Sequence, residues 1–495
     1  MAINTTFTNF QTIIEADWLN NVNTIVNDII DVKAFGATGN GVSLDTGAIQ
    51  AAINSASARG GGIVFLPPGR YRTGPLNLAA NVTIAGSGKY LSQIIPANNN
   101  MIIFSLINVT LARAGVTMRD FQINCGAITS IDGMQFTLCS EVDILNVMFA
   151  GCVQNFIIDR GYTHNILNCE SIQTSTNKAG GCTITSTDDT DHVFYSTIWN
   201  YKIRSNEFYG PGGGLGAVNP GIQARRAVGA SINMYAADLN FGGAINGIVL
   251  ENDCQGCKIT DCIIGASAAA VVLQQGPGPV AAPLAIAITN CDFDQPEFTA
   301  IDIALANWVT ISGGFLTSSG VVTNIPAINI LQASNVNIEG VTMIGFNGTG
   351  GACVDLSNAG SCSIKNCRSI NNTNGIAFIT NNNNTTVEGN DFINTTFPIG
   401  GAQNPDNALN VIRNNRGVVP PPISQPGVPG SSVAFANPFA HPCRVYISGG
   451  TIAGINIEGV STGITSGHVG ILNPAETISI VYSATPTWSW IPVGA

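Results

Sequence analysis

A short pattern that returns every two to three dozen residues constrains the fold of this chain more than any other feature. Each copy has an aliphatic residue, two polar or small residues, then a small residue, cysteine or asparagine. The copies begin at Ile144, Ile166, Ile203, Ile259, Ile288, Ile311, Ile338, Ile364, Val387 and Ile412. Most steps lie between the 22 residues from Ile144 to Ile166 and the 29 from Ile259 to Ile288. Such a period predicts a solenoid, and the 56-residue step from Ile203 to Ile259 is expected to hide one poorly matching turn or a long insertion.

Apolar and polar residues alternate within the copies, as in AIDIAL from Ala300 and AINIL from Ala327. Alternation predicts short strands with one buried face, and the asparagine and glycine clusters between them predict turns. The expected fold class is therefore all-β, a parallel β-helix. Leucine-rich repeats have a similar period, but leucine is sparse in these copies, which makes that fold less favoured.

One position of the repeat is occupied by cysteine or asparagine. Its members are Cys169, Asn206, Cys262, Cys291, Cys367, Asn390 and Asn415. Residues at one position of a solenoid stack on successive turns, so we predict an internal ladder of small groups and amides. We expect neither disulfides nor a metal site from the 13 cysteines, because Cys254 and Cys257 have no second pair at zinc spacing. No cofactor is predicted.

The composition excludes several classes of function. Only 10% of residues are charged, 45% are hydrophobic, and the formal net charge is −11. An acidic chain without a basic cluster is not expected to bind nucleic acid, and the lack of a long apolar run argues against insertion into a membrane. The first residues, MAINTTFTNF, lack the features of a signal peptide, so we expect synthesis in the cytoplasm of the producing cell.

Composition also suggests domain boundaries. We assign residues 1–30 to a helical neck, with Trp18, Val22, Ile25 and Ile29 at roughly coiled-coil spacing. Residues 31–110 are predicted to cap the solenoid, and residues 111–418 to form it. The sequence VPPPISQPGVPG at 419–430 is typical of a stiff linker. Residues 431–495 are predicted to form an antiparallel β module that contacts other subunits or glycan.

The glycine-rich segment from Gly36 imitates a phosphate-binding loop only loosely, because Val42 stands where the lysine belongs. Asp45 is instead at a helix N-cap position. The residues Ile49, Ala52, Ile53 and Ala56 then form one apolar helix face, which is suited to covering the open end of a solenoid.

Two segments of the first hundred residues resemble the start of the pectate-lyase-superfamily β-helix domain. They are FGATGNGVSLDTGAIQ from Phe35 and GGGIVFLPPGRY from Gly60, and the first departs from the family pattern at Asn40 and Leu44, where acids are usual. The layout of the whole chain is similar to that of bacteriophage tailspikes. This resemblance implies a right-handed β-helix, a homotrimer, and a virion protein attached to the phage baseplate or tail through its N-terminus. It also implies binding, and often cleavage, of a bacterial surface polysaccharide at the outside of the host.

Cleavage of a glycosidic bond usually needs two carboxyl groups, so acids on adjacent turns are candidate catalytic residues. Glu170 and Glu207 follow the cysteine and asparagine position, which predicts carboxyls roughly 5 Å apart, the spacing of retaining enzymes. The nearby segment TSTDDTDH adds Asp189, Asp191 and His192, and Glu251 lies near a turn. Sugar-binding candidates are Tyr195, Trp199, Tyr201, Tyr209, Tyr235, Arg225 and His192.

A second pair of acids is Asp302 and Asp355, with Asn329 at the equivalent position between them. Two strand spacings would separate the pair by roughly 9.6 Å, near the upper limit for inverting enzymes. We rank this pair second because the segment beside it has no aromatic-rich loop. The predicted function is hydrolysis of a capsule or O-antigen. A lyase that recruits Tyr201, His192 or Arg225, a non-catalytic adhesin and a purely structural tail component are the alternatives.

Overall fold

One parallel β-solenoid accounts for most of the molecule. The computed structural model describes residues 29–126, 128–173, 181–188, 192–205, 221–236, 246–265, 268–276, 281–294, 299–318, 325–348, 351–403, 409–418 and 423–493. Within them, 39 strands join a single continuous sheet whose pairings are all parallel. Each turn contributes up to three strands, and equivalent strands of successive turns pair side by side. The three faces that result are called sheets 1, 2 and 3.

The strand bounds define the faces. Sheet 1 contains Ile29–Asp31, Gly62–Leu66, Val82–Gly86, Gly161–Leu167, Ala227–Val228, Lys258–Thr260, Ala287–Thr289, Asn307–Ser312, Ser334–Glu339, Ser363–Lys365, Thr386–Glu388 and Val411–Arg413. Sheet 2 contains Asn40–Leu44, Gly69–Thr73, Ser92–Pro96, Gln122–Asn124, Met148–Ala150, Glu170–Gln173, Ile263–Gly265, Asp292–Asp294, Phe315–Thr317, Thr342–Ile344, Arg368–Ile370 and Asp391–Ile393. Sheet 3 contains Leu76–Asn77, Gln154–Asp159, Gly181–Thr185, Ile222–Arg225, Ile248–Glu251, Val271–Gln274, Ile301–Ala304, Ile328–Leu331, Ala352–Ser357, Asn374–Thr380 and Phe397–Gly400. Four longer strands turn a corner and belong to two sheets: Met101–Arg119 and Ile131–Leu145 run from sheet 3 to sheet 1, and Val193–Ser205 and Ser231–Ala236 run from sheet 1 to sheet 2.

The repeat of the sequence is an aliphatic ladder inside sheet 1. From Ile84 onward the ladder runs through Met118, Ile144, Ile166, Ile198, Ile232, Ile259, Ile288, Ile311, Ile338, Ile364, Val387 and Ile412. All of these side chains are buried. Nine of the ten predicted starting residues are in the ladder. The tenth, Ile203, is not: Ile198 pairs with Ile166, and Ile203 pairs with Ser171 in sheet 2. The turn expected to be hidden in the long step is the one that contains Ile232.

The cysteine and asparagine position lies at the corner between sheets 1 and 2, inside the coil. Each described member donates a hydrogen bond to the carbonyl oxygen of a ladder residue, as Cys169 does to Ile144 and Asn390 to Ile364. Asn390 also donates to Oδ1 of Asn415 at 2.9 Å. Burial raises the pKa of the Cys169 thiol to about 12. The cysteines are buried free thiols, and no group of three potential metal ligands occurs among the described residues.

The N-terminal end of the solenoid is covered by one α-helix, Thr46–Ala58, whose buried residues are the four predicted from its apolar face. A 3₁₀ helix, Val32–Phe35, precedes it. Asp45 stands at the N-cap position, but its side chain does not cap the helix. The carboxylate instead accepts hydrogen bonds from the backbone of Thr38 and Gly39, at 2.7 and 3.1 Å. It therefore closes the glycine-rich loop, which the sequence analysis did not predict.

Parallel pairing already begins within the predicted cap and neck, because Ile29, Ile30 and Asp31 pair with Ile63, Val64 and Phe65. Residues 29 and 30 are thus strand rather than the end of a helix. The rest of the predicted neck lies outside the described residues. No helix of the described part is both long and apolar enough to cross a membrane.

The C-terminal module is antiparallel, as predicted. A four-stranded sheet contains Phe435–Ala436, Thr477–Ala484, Thr451–Ile457 and Val460–Ser461, and a three-stranded sheet contains Gly467–Leu472, Cys443–Ser448 and Thr487–Pro492. The described part of the proline-rich linker packs on this module, since Trp488 Nε1 donates to the Pro426 carbonyl and Gln425 Nε2 to that of Trp490. The module meets the last turn of the solenoid where Ile412 N donates to the Ala440 carbonyl at 2.7 Å.

Candidate functional site

The outer surface of sheet 3 places two carboxylates in one column. Val272 pairs with Asp302, Asp302 with Asn329, and Asn329 with Asp355. Side chains alternate across a strand, so these residues point away from the buried neighbours Ile301, Ile303, Ile328, Ile330, Val354 and Leu356. The spacing of adjacent strands, about 4.8 Å, sets the two aspartates roughly 9.6 Å apart. The register predicted for this second-ranked pair is confirmed.

The two aspartates differ in their surroundings. Asn329 Nδ2 donates a 2.8 Å hydrogen bond to Oδ1 of Asp302, as an amide does to a carboxylate. Asp355 has no side-chain hydrogen bond to any other described residue. Desolvation by burial raises the pKa of Asp355 to about 6. Asp302 thus accepts a hydrogen bond from a neighbouring amide, whereas the raised pKa of Asp355 keeps that carboxyl protonated to a higher pH than usual.

Small and apolar groups flank this column on both sides. Val249 and Val272 precede Asp302 and form a buried cluster with Ala269 outside the main core. Ala377 and Gly400 follow Asp355 on the next two strands. The outer surface of sheet 3 therefore has polar side chains on three successive strands, at Asp302, Asn329 and Asp355, with short apolar side chains on either side. Such a surface can contact the C–H faces of a sugar while the carboxyl groups reach its oxygens.

A second polar group on sheet 3 surrounds Glu251, which is buried. Its Oε1 accepts hydrogen bonds from Gln223 Nε2 and Arg225 Nε, both at 2.5 Å, and its Oε2 accepts one from Gln274 Nε2 at 3.3 Å. Three donors occupy the carboxylate, and this arrangement links three consecutive strands. Among the predicted site residues that the structure describes, Arg225 and Glu251 are in direct contact.

The proposed pair of Glu170 and Glu207 is wrong in its register. Glu170 pairs with Lys202, five residues before Glu207. The prediction matched Ile203 to the ladder residue Ile166, whereas Ile198 is the residue that pairs with Ile166. Glu170 is also buried, and its Oε2 lies 3.0 Å from Lys89 Nζ. Glu207, Asp189, Asp191 and Tyr209 lie outside the described residues.

The predicted aromatic residues are spread over several faces. Tyr201 is fully buried inside the coil, where its hydroxyl accepts a hydrogen bond from Asn155 Nδ2, so the prediction that it binds substrate is wrong. Trp199 is exposed on sheet 1, and Tyr195 is exposed at the corner before it. Tyr235 is partly buried on sheet 2 beside Lys202. These residues do not form one aromatic surface.

His192 occupies another corner. Its Nε2 lies 2.9 Å from Oδ2 of Asp253, whose Oδ1 accepts a hydrogen bond from Gln255. Asp253 follows Glu251 closely in the chain, so this pair lies at the edge of sheet 3 next to the Glu251 group. The predicted residue His192 therefore has an acidic partner.

Two family models match separate parts of the chain. The model described as rhamnogalacturonase A/epimerase, pectate lyase-like, matches residues 29–181, and the model described as right handed beta helix region matches residues 246–416. Both agree with the parallel solenoid, and the second states its hand.

Among curated proteins, the chain is similar to mannuronan C5-epimerase AlgE6 of Azotobacter vinelandii, with 54% identity over 66 residues. The matched stretch covers 12% of this chain and 8% of the epimerase. The likeness is therefore close but confined to a small part of both proteins.

Among solved structures, the N-terminal fragment of gene product 12 of bacteriophage phi29 has a TM-score of 0.56 and 14% identity, over 81% of this chain and 73% of that one. Tailspike protein 3 of bacteriophage CBA120 has a TM-score of 0.54 and 15% identity, over 87% of this chain and 69% of that one. At these identities the two structures show a shared fold.

Proposed function

We propose that this protein binds a bacterial surface polysaccharide on sheet 3 and hydrolyses it with Asp302 and Asp355. The observation that carries the proposal is the column of two carboxyl groups on either side of Asn329. Their roughly 9.6 Å separation is at the upper end of the range of inverting glycosidases, which hold a water molecule as well as the sugar between their acids.

The difference between the aspartates assigns their roles. Burial raises the pKa of Asp355 to about 6, so this carboxyl serves as the general acid that protonates the oxygen of the leaving sugar. Asp302 serves as the general base and takes a proton from the attacking water. The bond between the anomeric carbon and the glycosidic oxygen breaks, and the water oxygen bonds to that carbon from the opposite face. The product has the inverted configuration.

Asn329 positions the base. Its hydrogen bond to Oδ1 of Asp302 leaves Oδ2 of that carboxylate for the water. The adjacent strands carry Val272 on one side and Ala377 on the other, which are short enough to leave the column open. The Glu251 group, with Arg225, lies on the same face and is a candidate for holding more distant sugar units.

The comparisons support a polysaccharide as the substrate class, because the relatives include a mannuronan epimerase and the structural neighbours include a tailspike. We extend the proposal to a virion protein that acts at the outside of its host, assembles as a homotrimer and attaches to the phage tail through its N-terminal segment. Analytical ultracentrifugation of the full chain tests the trimer directly.

A second candidate reaction starts with removal of a proton from a uronate sugar, as in an epimerase or a lyase. The 66-residue likeness to the mannuronan epimerase favours it. In this chain, His192 with its partner Asp253 and the cation Arg225 are the described groups that fit such chemistry. Formation of an unsaturated product that absorbs in the ultraviolet distinguishes a lyase from a hydrolase.

The experiment is incubation of the purified protein with capsular polysaccharide and O-antigen from candidate hosts, followed by measurement of polymer length. We expect wild-type protein to shorten one polymer and Asp302→Asn and Asp355→Asn to lose this activity while still binding. Asp292→Asn, an exposed acid on sheet 2 of a neighbouring turn, is the matched control and should remain active. Binding without shortening by the wild type would identify an adhesin, and full activity in Asp302→Asn or Asp355→Asn would exclude this pair as the catalytic acids.

A further inference from the structure

A column of left-handed residues lines the corner between sheets 3 and 1. On seven successive turns the residue after this corner has a positive φ: Gly229, Gly256, Ala285, Trp308, Asn335, Ser361 and Asn384. The residues just before them pair with one another along the solenoid, which fixes the alignment of the column. Glycine and asparagine are the residues that ordinarily adopt this conformation.

Trp308 has the largest side chain in this column, which Tyr195, with a φ of 54°, extends by one turn before Gly229. The φ of Trp308 is 57°, and its side chain is 62% exposed. A left-handed conformation is less favourable for a residue with a side chain than for glycine. Most of the indole faces solvent, so its ring is accessible to a ligand.

A polar groove lies beside the indole on sheet 1. Trp308, Thr310, Asn335, Asn337, Ser361 and Ser363 line it together with Val336, and its volume is about 280 Å³. None of these side chains is charged. Within the described residues, the side chains of Thr310, Asn337, Ser361 and Ser363 make no hydrogen bond to the rest of the protein. The groove therefore offers hydroxyl and amide groups whose hydrogen-bonding capacity is free for a ligand.

We propose that this groove is a sugar-binding site for an uncharged unit of a polysaccharide. A flat exposed indole stacks against the C–H face of a sugar ring, and neighbouring hydroxyls and amides bond its hydroxyl groups. The lack of a cation argues against a uronate or phosphate at this position. The volume is just below the roughly 300–1,000 Å³ of small-molecule sites, which fits one or two sugar units.

The groove lies on the same three turns as the aspartate column. Asp302 and Trp308 are six positions apart, and Asn329 and Asn335 are separated equally on the next turn. A polymer held on sheet 1 is thus kept at a high local concentration next to sheet 3. Binding in the groove does not require the hydrolysis proposed above; only its benefit for cleavage rests on that proposal.

The test is affinity electrophoresis of the full chain in gels that contain dextran, yeast mannan, galactomannan or alginate. Trp308→Asn is the main variant, because asparagine adopts the left-handed conformation and so preserves the corner. Phe315→Ala removes an exposed aromatic residue of the same turn on sheet 2 and is the control. We expect at least one neutral polymer to retard the wild type and Phe315→Ala, with retardation at least tenfold weaker for Trp308→Asn.

The proposal would be overturned if only alginate, or no polymer at all, retarded the wild type. It would also be overturned if Trp308→Asn and the wild type were retarded to the same degree. Thermal unfolding of Trp308→Asn at or above the wild-type temperature is expected and excludes loss of folding as the cause. Measurement of polymer length in the same samples separates the two proposals: retardation that depends on Trp308 supports the groove whether or not the wild type shortens any polymer.

Discussion

Asn329 Nδ2 donates a 2.8 Å hydrogen bond to Oδ1 of Asp302, and the strand on the other side of Asn329 carries Asp355. An uncharged amide thus separates two acids in a column where strands are about 4.8 Å apart. The amide gives one acid a donor and keeps a third negative charge out of the column. This relationship determines what substitutions at all three positions should do.

Replacing Asn329 with aspartate would place three carboxyl groups on adjacent strands. Like charges at this spacing disfavour ionisation, so the variant should be less stable than wild type at pH 8 and close to it at pH 4.5, where protonation relieves the repulsion. Melting temperatures at the two pH values measure the effect. Asn329→Ser, which adds no charge, should show no such pH dependence, and equal melting of Asn329→Asp and wild type at pH 8 would contradict this account.

Replacing Asp355 with asparagine should stabilise the protein at neutral and alkaline pH. Burial raises the folded-state pKa of Asp355 to about 6, above its unfolded value, so the folded state of wild type loses stability as pH rises through that range. Two pKa units correspond to at most about 3 kcal/mol. We expect Asp355→Asn to melt at a higher temperature than wild type at pH 8 and at a similar one at pH 4. Asp292→Asn is the control, and the same difference at both pH values would rule out the titration.

The proposed acid also sets the pH dependence of cleavage. Asp355 must be protonated to act, so kcat/KM should fall about tenfold per pH unit above its pKa of about 6. Any residual activity of Asp355→Asn should lack this decline. Initial rates measured from pH 5 to 9 provide the profile. A rate that rises through pH 7 and 8 would instead indicate that a base controls the reaction, as in the second candidate.

The repeat allowed most of the solenoid to be predicted, because one buried aliphatic position per turn is a local property of the sequence. Ile288, Ile311, Ile338 and Ile364 were placed in the ladder for this reason. Ile203 was misplaced because it follows the same short pattern on sheet 2, five residues after the true ladder residue Ile198. A match over a few residues cannot distinguish two neighbouring strands of one turn.

The candidate site was harder to predict for a related reason. Alternation in AIDIAL and AINIL correctly placed Asp302 and Asn329 on one outer face, since both strands are regular. Glu170 obeys the same rule, yet Lys89 reaches it from a segment 81 residues away and covers it. Tyr201 is turned into the coil, toward Asn155. Contacts between distant segments decide such cases, and the period of the repeat carries no information about them.

The amide ladder provides the last prediction, on stability. Asn390 Oδ1 accepts a hydrogen bond from Cys367 N, and Nδ2 donates to the Ile364 carbonyl and to Asn415 Oδ1, all within 3.0 Å. Asn390→Ala would remove the side-chain partner of Cys367 N and of the Ile364 carbonyl, each worth about 1–3 kcal/mol, whereas Asn415 Oδ1 keeps its hydrogen bond from Asn390 N. We therefore expect a loss of about 2 kcal/mol or more, measured by denaturant unfolding.

Asn390→Cys should lose less than the alanine variant, because Cys367 occupies the same position one turn earlier and its thiol donates to the Ile338 carbonyl. Asn381→Gly is the control at an exposed left-handed corner, where a change within about 0.5 kcal/mol is expected. If Asn390→Ala and Asn381→Gly unfold at the same denaturant concentration, the ladder does not stabilise the solenoid, and its cysteines and asparagines only fill space.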